Sequence, residues 1–441
     1  MRFLCISIIL IFINNPAISS ENKMRSDLRA LIKINEIKPL KSEPFEVTKK
    51  YLLGQALFFD PILSTNNDIS CATCHLVSKG TSDNLERSLG TGSHGLSLKR
   101  TSNNNNIVNS RNSLSLYNRD HNTVTSLFWD GRVEVLDSKN RRFRSPLQHL
   151  LPRSIENALA AQAIFPLVND REMFTRKCPL DKSCTLDLDD PLVISEEHDR
   201  ILYKLLGVPT PLNMLTKSQI RYRALFRSAY TNLDLGEIDI GHLGNAIAHF
   251  EEVAFATRDA VWDRYVAGEE SILSYSAVRG ASIFYSDTGC VSCHSGAVFS
   301  DYEFYSLGVL SYKELSPVNK VDFGRFDITK EDEDIFLFRT PSLRNVTLTA
   351  PYFHDGSVLK LDDAILKHNR SCSGPDELIP YCLALKLNKK FGYVNNLKKQ
   401  DINDLINFLK SLEDNVEPYW NHIVPRSVPS GLPVHTLIID K

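Results

Sequence analysis

The 441-residue chain has almost no net charge: 51 lysines and arginines stand against 53 aspartates and glutamates, a formal −2. That balance leaves no basic footprint for nucleic acid. Long apolar runs are missing too. The run from Phe3 to Ile13 covers eleven residues, well short of the roughly 20 that cross a bilayer, so no membrane span is expected. No stretch alternates apolar and polar residues over a length comparable to the helical-period stretches, which excludes a fold built mainly from half-buried strands. Methionine is scarce, four in the chain, and beyond the N-terminal segment only Met173 and Met214. What remains is an ordinary soluble composition, 42% hydrophobic and 24% charged, long enough for two domains.

The start of the chain has the order of a signal peptide: Met1-Arg2, the apolar run, then Pro16-Ala17-Ile18-Ser19-Ser20. Residues 1–20 are expected to be removed by cleavage after Ser19 or Ser20, leaving a mature protein in the periplasm or an equivalent exported space. Cys5 lies inside the apolar run, not at its end, and is not read as a lipid-attachment site.

Nine cysteines are present, and four of them fall in two copies of one pattern, Cys71-Ala72-Thr73-Cys74-His75 and Cys290-Val291-Ser292-Cys293-His294. At the C-x-x-C-H spacing two thiols capture the vinyl groups of one haem and the following His coordinates its iron. Two covalently bound c-type haems are therefore expected, with His75 and His294 as proximal ligands. The alternative is one zinc site made from both Cys pairs; it leaves both trailing histidines unexplained. Beyond Cys5 and these four, Cys178, Cys184, Cys372 and Cys382 remain. An oxidising compartment permits disulfides, three pairings are open, and closeness in sequence favours Cys178–Cys184 and Cys372–Cys382 over four separate thiols.

Each haem motif follows a similar segment. Tyr51 to Asp60 precedes the first and Val278 to Ser286 the second; in both, a Gly (Gly54, Gly280) sits in an apolar pattern of helical period, four residues ahead of an aromatic pair. Glycine inside a helix costs about 1 kcal/mol, so its presence twice predicts close approach of another helix and two related modules. Helical period recurs at Ile155 to Ile164, Gln219 to Tyr230, Leu243 to Thr257 and Ile402 to Leu412, where Asp401 is expected to cap. The segment Gly90 to Asn109, with Asn103 to Asn106, reads as a loop, and Pro179 to Pro191, with four aspartates, as an acidic surface loop. A domain boundary is placed near Pro209-Thr210-Pro211. The fold class expected is mainly α, with helices around two haems and long loops between them.

Three blocks carry a family resemblance: Leu53-Gly54-Gln55-Ala56-Leu57-Phe58-Phe59-Asp60-Pro61 with its haem motif, Phe128-Trp129-Asp130-Gly131-Arg132, and Thr340-Pro341-Ser342-Leu343-Arg344-Asn345-Val346 running into Thr349 to Gly356. In this order they resemble the bacterial di-haem cytochrome c peroxidases and their relatives of the MauG type, over most of the chain from Tyr51 to Leu412. The resemblance implies two cytochrome c-like haem domains, residues 44–210 and 211–420. The N-terminal haem would meet hydrogen peroxide, and the C-terminal haem would pass electrons to it or store an oxidising equivalent.

Residue by residue, the resemblance implies a Ca²⁺ between the domains held by Asn112 and the carbonyls of Thr349 and Pro351, oxygens that suit a hard cation. It implies Trp129 between the haems, and Glu172, in Phe165 to Met173, as the acid-base residue of peroxide cleavage. His94 falls where many of the peroxidases place a removable sixth ligand, although the stretch from His94 to Arg111-Asn112 is longer than usual. The C-terminal haem departs from the pattern: where the peroxidases have a Met ligand and MauG-type enzymes a Tyr, this chain has His368. Bis-His ligation by His294 and His368 is therefore expected, with a lower reduction potential than Met gives. The leading function is reduction of hydrogen peroxide to water with electrons from a small cytochrome c or copper protein. A MauG-like oxidase that modifies a partner protein's side chain comes second, and a non-enzymatic electron-transfer cytochrome third. The resemblance also suggests a homodimer.

Overall fold

A computed structural model describes residues 16–40, 43–102, 108–137, 139–140, 142–147, 150–175, 191–286, 288–311, 321–368 and 397–436. The apolar run at Phe3 to Ile13, Cys5, Asn103 to Asn106, Cys178, Cys184, Cys372 and Cys382 lie outside these residues, as does the acidic loop apart from Pro191. In chain order the helices are α1 (Pro16–Ile34), α2 (Lys49–Phe59), α3 (Cys71–Cys74), α4 (Ala158–Ile164), α5 (Pro191–Leu206), α6 (Lys217–Ala229), α7 (Ile240–Ala254), α8 (Val261–Val266), α9 (Tyr275–Phe284), α10 (Phe326–Thr329), α11 (Leu361–Lys367), α12 (Lys399–Lys410) and α13 (Trp420–Ile423). Short antiparallel pieces interrupt them: β1 (Ser126–Leu127), β2 (Val133–Asp137) and β3 (Arg142–Arg144) form one sheet, and β4 (Phe304–Tyr305) pairs with β5 (Phe338–Arg339). The protein is mainly α. None of the described helices is long and apolar enough to cross a membrane.

Local sequence explains the helix starts. The Thr48 hydroxyl accepts from the Tyr51 amide at the head of α2, and Asp239 accepts from Gly241 and His242 at the head of α7. Asp401 does not cap α12; the helix begins two residues earlier, and Asp401 accepts from the Lys398 amide from its third position. This is one half of a capping box.

Two hydrophobic cores organise the chain. The first gathers Tyr51, Leu57, Phe58 and Phe59 of α2 with Tyr222 and Phe226 of α6 and Ile247 and Phe250 of α7. The second gathers Trp262, Val278, Phe284, Phe408 and Leu409. The two ends of the chain cross over. Leu28 and Ile32 of α1 are buried in the second core, while Ile423 and Val428 near the C-terminus return to the first. Cleavage after Ser19 or Ser20 would remove only the first turn of α1 and leave both of its buried anchors.

This packing moves the expected boundary. Helices α6 and α7 lie beyond Pro211 yet belong to the first core, and the change of core falls between Phe255 and Trp262. Pro209-Thr210-Pro211 is instead the turn between α5 and α6. A proline cluster stops a helix equally well inside a domain and between domains, so composition alone could not distinguish the two.

The repeated glycines have equivalent roles. A Cβ on Gly54 would overlap the Ala246 carbonyl of α7, and one on Gly280 would overlap the Asp404 carbonyl of α12. The pairs α2/α7 and α9/α12 are thus packed backbone against backbone, one in each core. Ala at position 54 gains about 1 kcal/mol of helix propensity, but a carbonyl cannot yield as a side-chain tip can. Gly54→Ala is expected to be net destabilising by about 1–3 kcal/mol, read as a lower denaturant midpoint with unchanged slope.

A buried ion network joins the two halves. Arg111 donates to Asp130 at 2.6 Å and to both oxygens of Asp322 at 2.7 and 2.8 Å, and Asp130 also receives Arg132. These arginines hold the Asp130 carboxyl far below the usual carboxylate range against the opposing effect of burial.

Candidate haem centres

The first Cys-x-x-Cys-His motif is a single helical turn. Ser70 precedes it, its amide donating to the Thr73 hydroxyl at 2.9 Å, and the His75 amide closes it on the Cys71 carbonyl at 2.9 Å. One turn puts positions i and i+3 on the same side, so Cys71 and Cys74 face one cavity. His75 donates from Nδ1 to the Thr81 carbonyl at 2.9 Å, with the Ser113 hydroxyl at 3.3 Å. That bond fixes the tautomer and leaves the lone pair on Nε2, as metal-binding imidazoles require. Burial pushes the His75 pKa down to about 4, so the ring is neutral at pH 7.

The cavity beside it encloses about 1160 Å³ including its open mouth, and His75 is the one imidazole among its described lining residues. Glu172 and Met173, Pro166, Gln162, Arg132 and Trp129 also line it. Glu172 keeps some surface toward the cleft, but the protein around it desolvates the carboxyl and raises its pKa. Arg132 and a hydrogen bond with Asn109 offset part of that rise. Asn169 donates to Glu172 Oε1 at 3.0 Å and sets the carboxyl's direction.

The second motif is a 3₁₀ turn at Cys290–Ser292, closed by the His294 amide on the Cys290 carbonyl at 2.9 Å. His294 donates from Nδ1 to the Phe299 carbonyl at 3.2 Å, and His368, just past the end of α11, donates from Nδ1 to Ala364 at 2.8 Å. Both therefore carry the Nε2 lone pair. Their ring centroids are 6.3 Å apart. Two metal–imidazole bonds of about 2 Å, each extended by roughly 1 Å to the ring centre, span about 6 Å, so the two rings are spaced to hold one iron between them. The surrounding cavity, about 1400 Å³ with its mouth, is lined by Phe284, Leu343, Phe353, Ile365, Leu405 and Leu409 among others. Burial lowers the pKa of both imidazoles, His294 to about 4.

The zinc alternative fails on placement. The two Cys pairs line different cavities, and among the described residues no group of three or more His, Cys, Asp or Glu side chains is placed to hold a metal ion. Trp129 lines both cavities and donates from its indole to the Asn112 carbonyl at 3.0 Å. The Asn112 amide donates to the His354 carbonyl at 2.7 Å and its side chain to Leu85 at 2.8 Å. Asn112 therefore touches the segment that carries Thr349 and Pro351.

His94 is not brought to either cavity. It is exposed, and its backbone pairs with Thr101 in both directions at 2.8 and 2.9 Å. Arg100 secures this excursion by reaching back to Ser93 at 3.0 Å and to Cys74 Sγ at 3.2 Å.

Sequence reasoning missed three residues. Gln162 lines the first cavity with its Oε1 buried and without a partner among the described residues; its signal was a lone polar side chain in the apolar run Ala158–Ile164. Glu251 lines the same cavity, and burial raises its pKa to about 8. Arg339, buried, lines the second.

A mainly helical chain that presents two Cys-x-x-Cys-His turns to two separate cavities, joined by a shared indole, defines a c-type di-haem protein. Residues 48–271 match the family model described as di-haem cytochrome c peroxidase. The chain belongs to this family, whose members are oxidoreductases of the peroxidase type. Cytochrome c peroxidase Ccp of Escherichia coli K12 is 28% identical over 371 residues, which cover 84% of this chain and 59% of that one. Methylamine utilization protein MauG of Methylorubrum extorquens is 29% identical over 320 residues, 73% of this chain and 68% of that one. Among solved structures, the diheme peroxidase BthA from Burkholderia thailandensis shares the fold at a TM-score of 0.58 and 19% identity, over 90% of this chain and 91% of that one.

Proposed function

We propose that the protein is an exported di-haem peroxidase that reduces hydrogen peroxide to water at the first cavity, with electrons entering from a small cytochrome c or copper protein at the second. The observation that carries this reading is the asymmetry of the two cavities. Among their described lining residues the first offers one imidazole and a desolvated carboxyl, while the second offers three imidazoles, of which His294 and His368 face each other 6.3 Å apart and His354 is bonded to the Ser311 hydroxyl and stacked on Phe338. His75 with Cys71 and Cys74 would hold one haem, and His294 and His368 with Cys290 and Cys293 the other. When bound, the first haem supplies an iron with an open face for peroxide and the second an electron reservoir.

The chain's own residues supply the protons and the path. Peroxide reduction consumes two electrons and two protons per pair of waters. Glu172 takes the proton from one peroxide oxygen and returns it to the departing one. Its raised pKa suits both acts, because an acid-base group works best with a pKa near the working pH. Gln162, whose oxygen in the same cleft has no partner among the described residues, orients the oxidant. Trp129, shared by both cavities, is the bridge for electrons, and Asn112 with the Thr349 and Pro351 carbonyls holds a Ca²⁺ that keeps the two halves in register.

A second reading, a MauG-like oxidase acting on a partner's side chain, is favoured by the absence of a Met at position 368 and by the outward position of His94. Both readings expect a high-spin haem in the fully oxidised protein, because the described lining of the first cavity holds no second imidazole; a low-spin EPR signal from both haems would point to simple electron transfer. Steady-state turnover with peroxide and a reduced cytochrome then separates the two. Turnover without prior half-reduction supports the peroxidase, and none with any donor supports the oxidase.

A further inference from the structure

Arg339, at the end of β5, is 1% exposed. Its Nε donates to the Phe128 carbonyl at 2.7 Å and its Nη1 to the Thr340 carbonyl at 3.2 Å, while Nη2 is buried with no hydrogen-bond partner among the described residues. Three other buried arginines each hold a carboxylate: Arg111 on Asp130 and Asp322, Arg325 on Glu134, Arg344 on Asp263. Arg339 holds none. Asp130 is close enough to act on it, but that carboxylate is already taken by Arg111 and Arg132.

A second buried arginine makes the imbalance larger. Arg119 donates to the Ser115 carbonyl at 2.8 and 2.5 Å and lies close enough to Arg339 to repel it. Burial first, and Arg119 next, push the Arg339 pKa down to about 9, which still leaves it charged at neutral pH. A buried cation with an unused donor is costly unless an anion meets it. A haem brings two carboxylates on its propionates, and a guanidinium is the side chain best matched to a carboxylate.

We propose that Arg339 is the carboxylate-binding residue of the second cavity, donating from Nη2 to a propionate of the haem held there and raising that haem's reduction potential. This rests on the reading that the cavity holds the second haem between His294 and His368. The sign follows from charge: oxidised iron carries one more positive charge than reduced iron, so a fixed cation nearby favours reduction. Arg339 thus offsets part of the potential lost by having His368 in place of Met, and keeps a bis-His haem able to accept electrons.

The test uses holoprotein and needs no turnover. The wild-type mass is read first: if no haem is found on Cys290 and Cys293, the underlying reading fails, and this one with it. With both haems present, Arg339→Gln is expected to shift the propionate bending band of the second haem in resonance Raman and to lower its midpoint by about 59 mV, a tenfold change for one electron. The band of the first haem should stay in place. Arg339→Lys keeps the charge and loses the fork, so the potential should return most of the way while the band stays shifted; it also carries the Raman test if the Gln variant fails to assemble. A second-haem propionate band that does not move in either variant overturns the proposal and leaves the haem assignment standing.

Discussion

Glu172→Gln is expected to lower kcat for peroxide reduction by about 10²–10⁴-fold while both haems remain attached. That corresponds to roughly 3–5.5 kcal/mol of lost transition-state stabilisation. The amide keeps the size of the carboxyl and can still meet Asn169, so packing is preserved and only proton transfer is removed. The pH profile provides a second check. Glu172 must be deprotonated to accept the first proton, so kcat/KM falls as pH drops through its pKa. Burial sets that pKa above the ordinary Glu value, with Arg132 and Asn109 opposing the rise. The acid limb should therefore lie at higher pH than for an exposed glutamate, move higher still in Arg132→Gln, and vanish in Glu172→Gln. A Gln variant with wild-type kcat would remove Glu172 from the chemistry.

Changes at His368 are expected to act on the second haem alone. His368→Ala should convert it from a low-spin to a high-spin spectrum, because the ring 6.3 Å from His294 is the second imidazole placed to share its iron. His368→Met should keep the haem six-coordinate and raise its reduction potential. Axial ligands set haem potentials over roughly 0.8 V, and a rise on the order of 0.1 V is a modest part of that span. It should be visible in a potentiometric titration as movement of one haem and not the other. Faster reduction by a cytochrome donor should accompany it. An unchanged spectrum in His368→Ala would end the bis-His assignment.

Much of the fold was legible because it is local. The helices near Ile155, Gln219, Leu243 and Ile402 appear within a few residues of their periodic patterns, and the two glycines expected to face another helix both do so. Helix α5 was not anticipated, and the boundary at Pro209-Thr210-Pro211 was misplaced, since a turn signal does not say which core the next helix joins. At the sites, His94 was matched by its position along the chain, but the structure places it at the surface. Gln162 is marked only as a lone polar side chain in an apolar helix and Arg339 by nothing in its neighbours; the significance of both lies in a buried polar atom without a partner among the described residues.

The sequence by itself determined the covalent chemistry. Five consecutive residues fix two thiols and an imidazole on one turn, because helical geometry sets the i, i+3 and i+4 relations without outside help. Only the tertiary structure decided that His368 stands across from His294, that Trp129 borders both cavities and that the chain's two ends exchange cores. Those relations join segments tens to hundreds of residues apart, and they depend on which apolar faces bury one another, something no local pattern encodes.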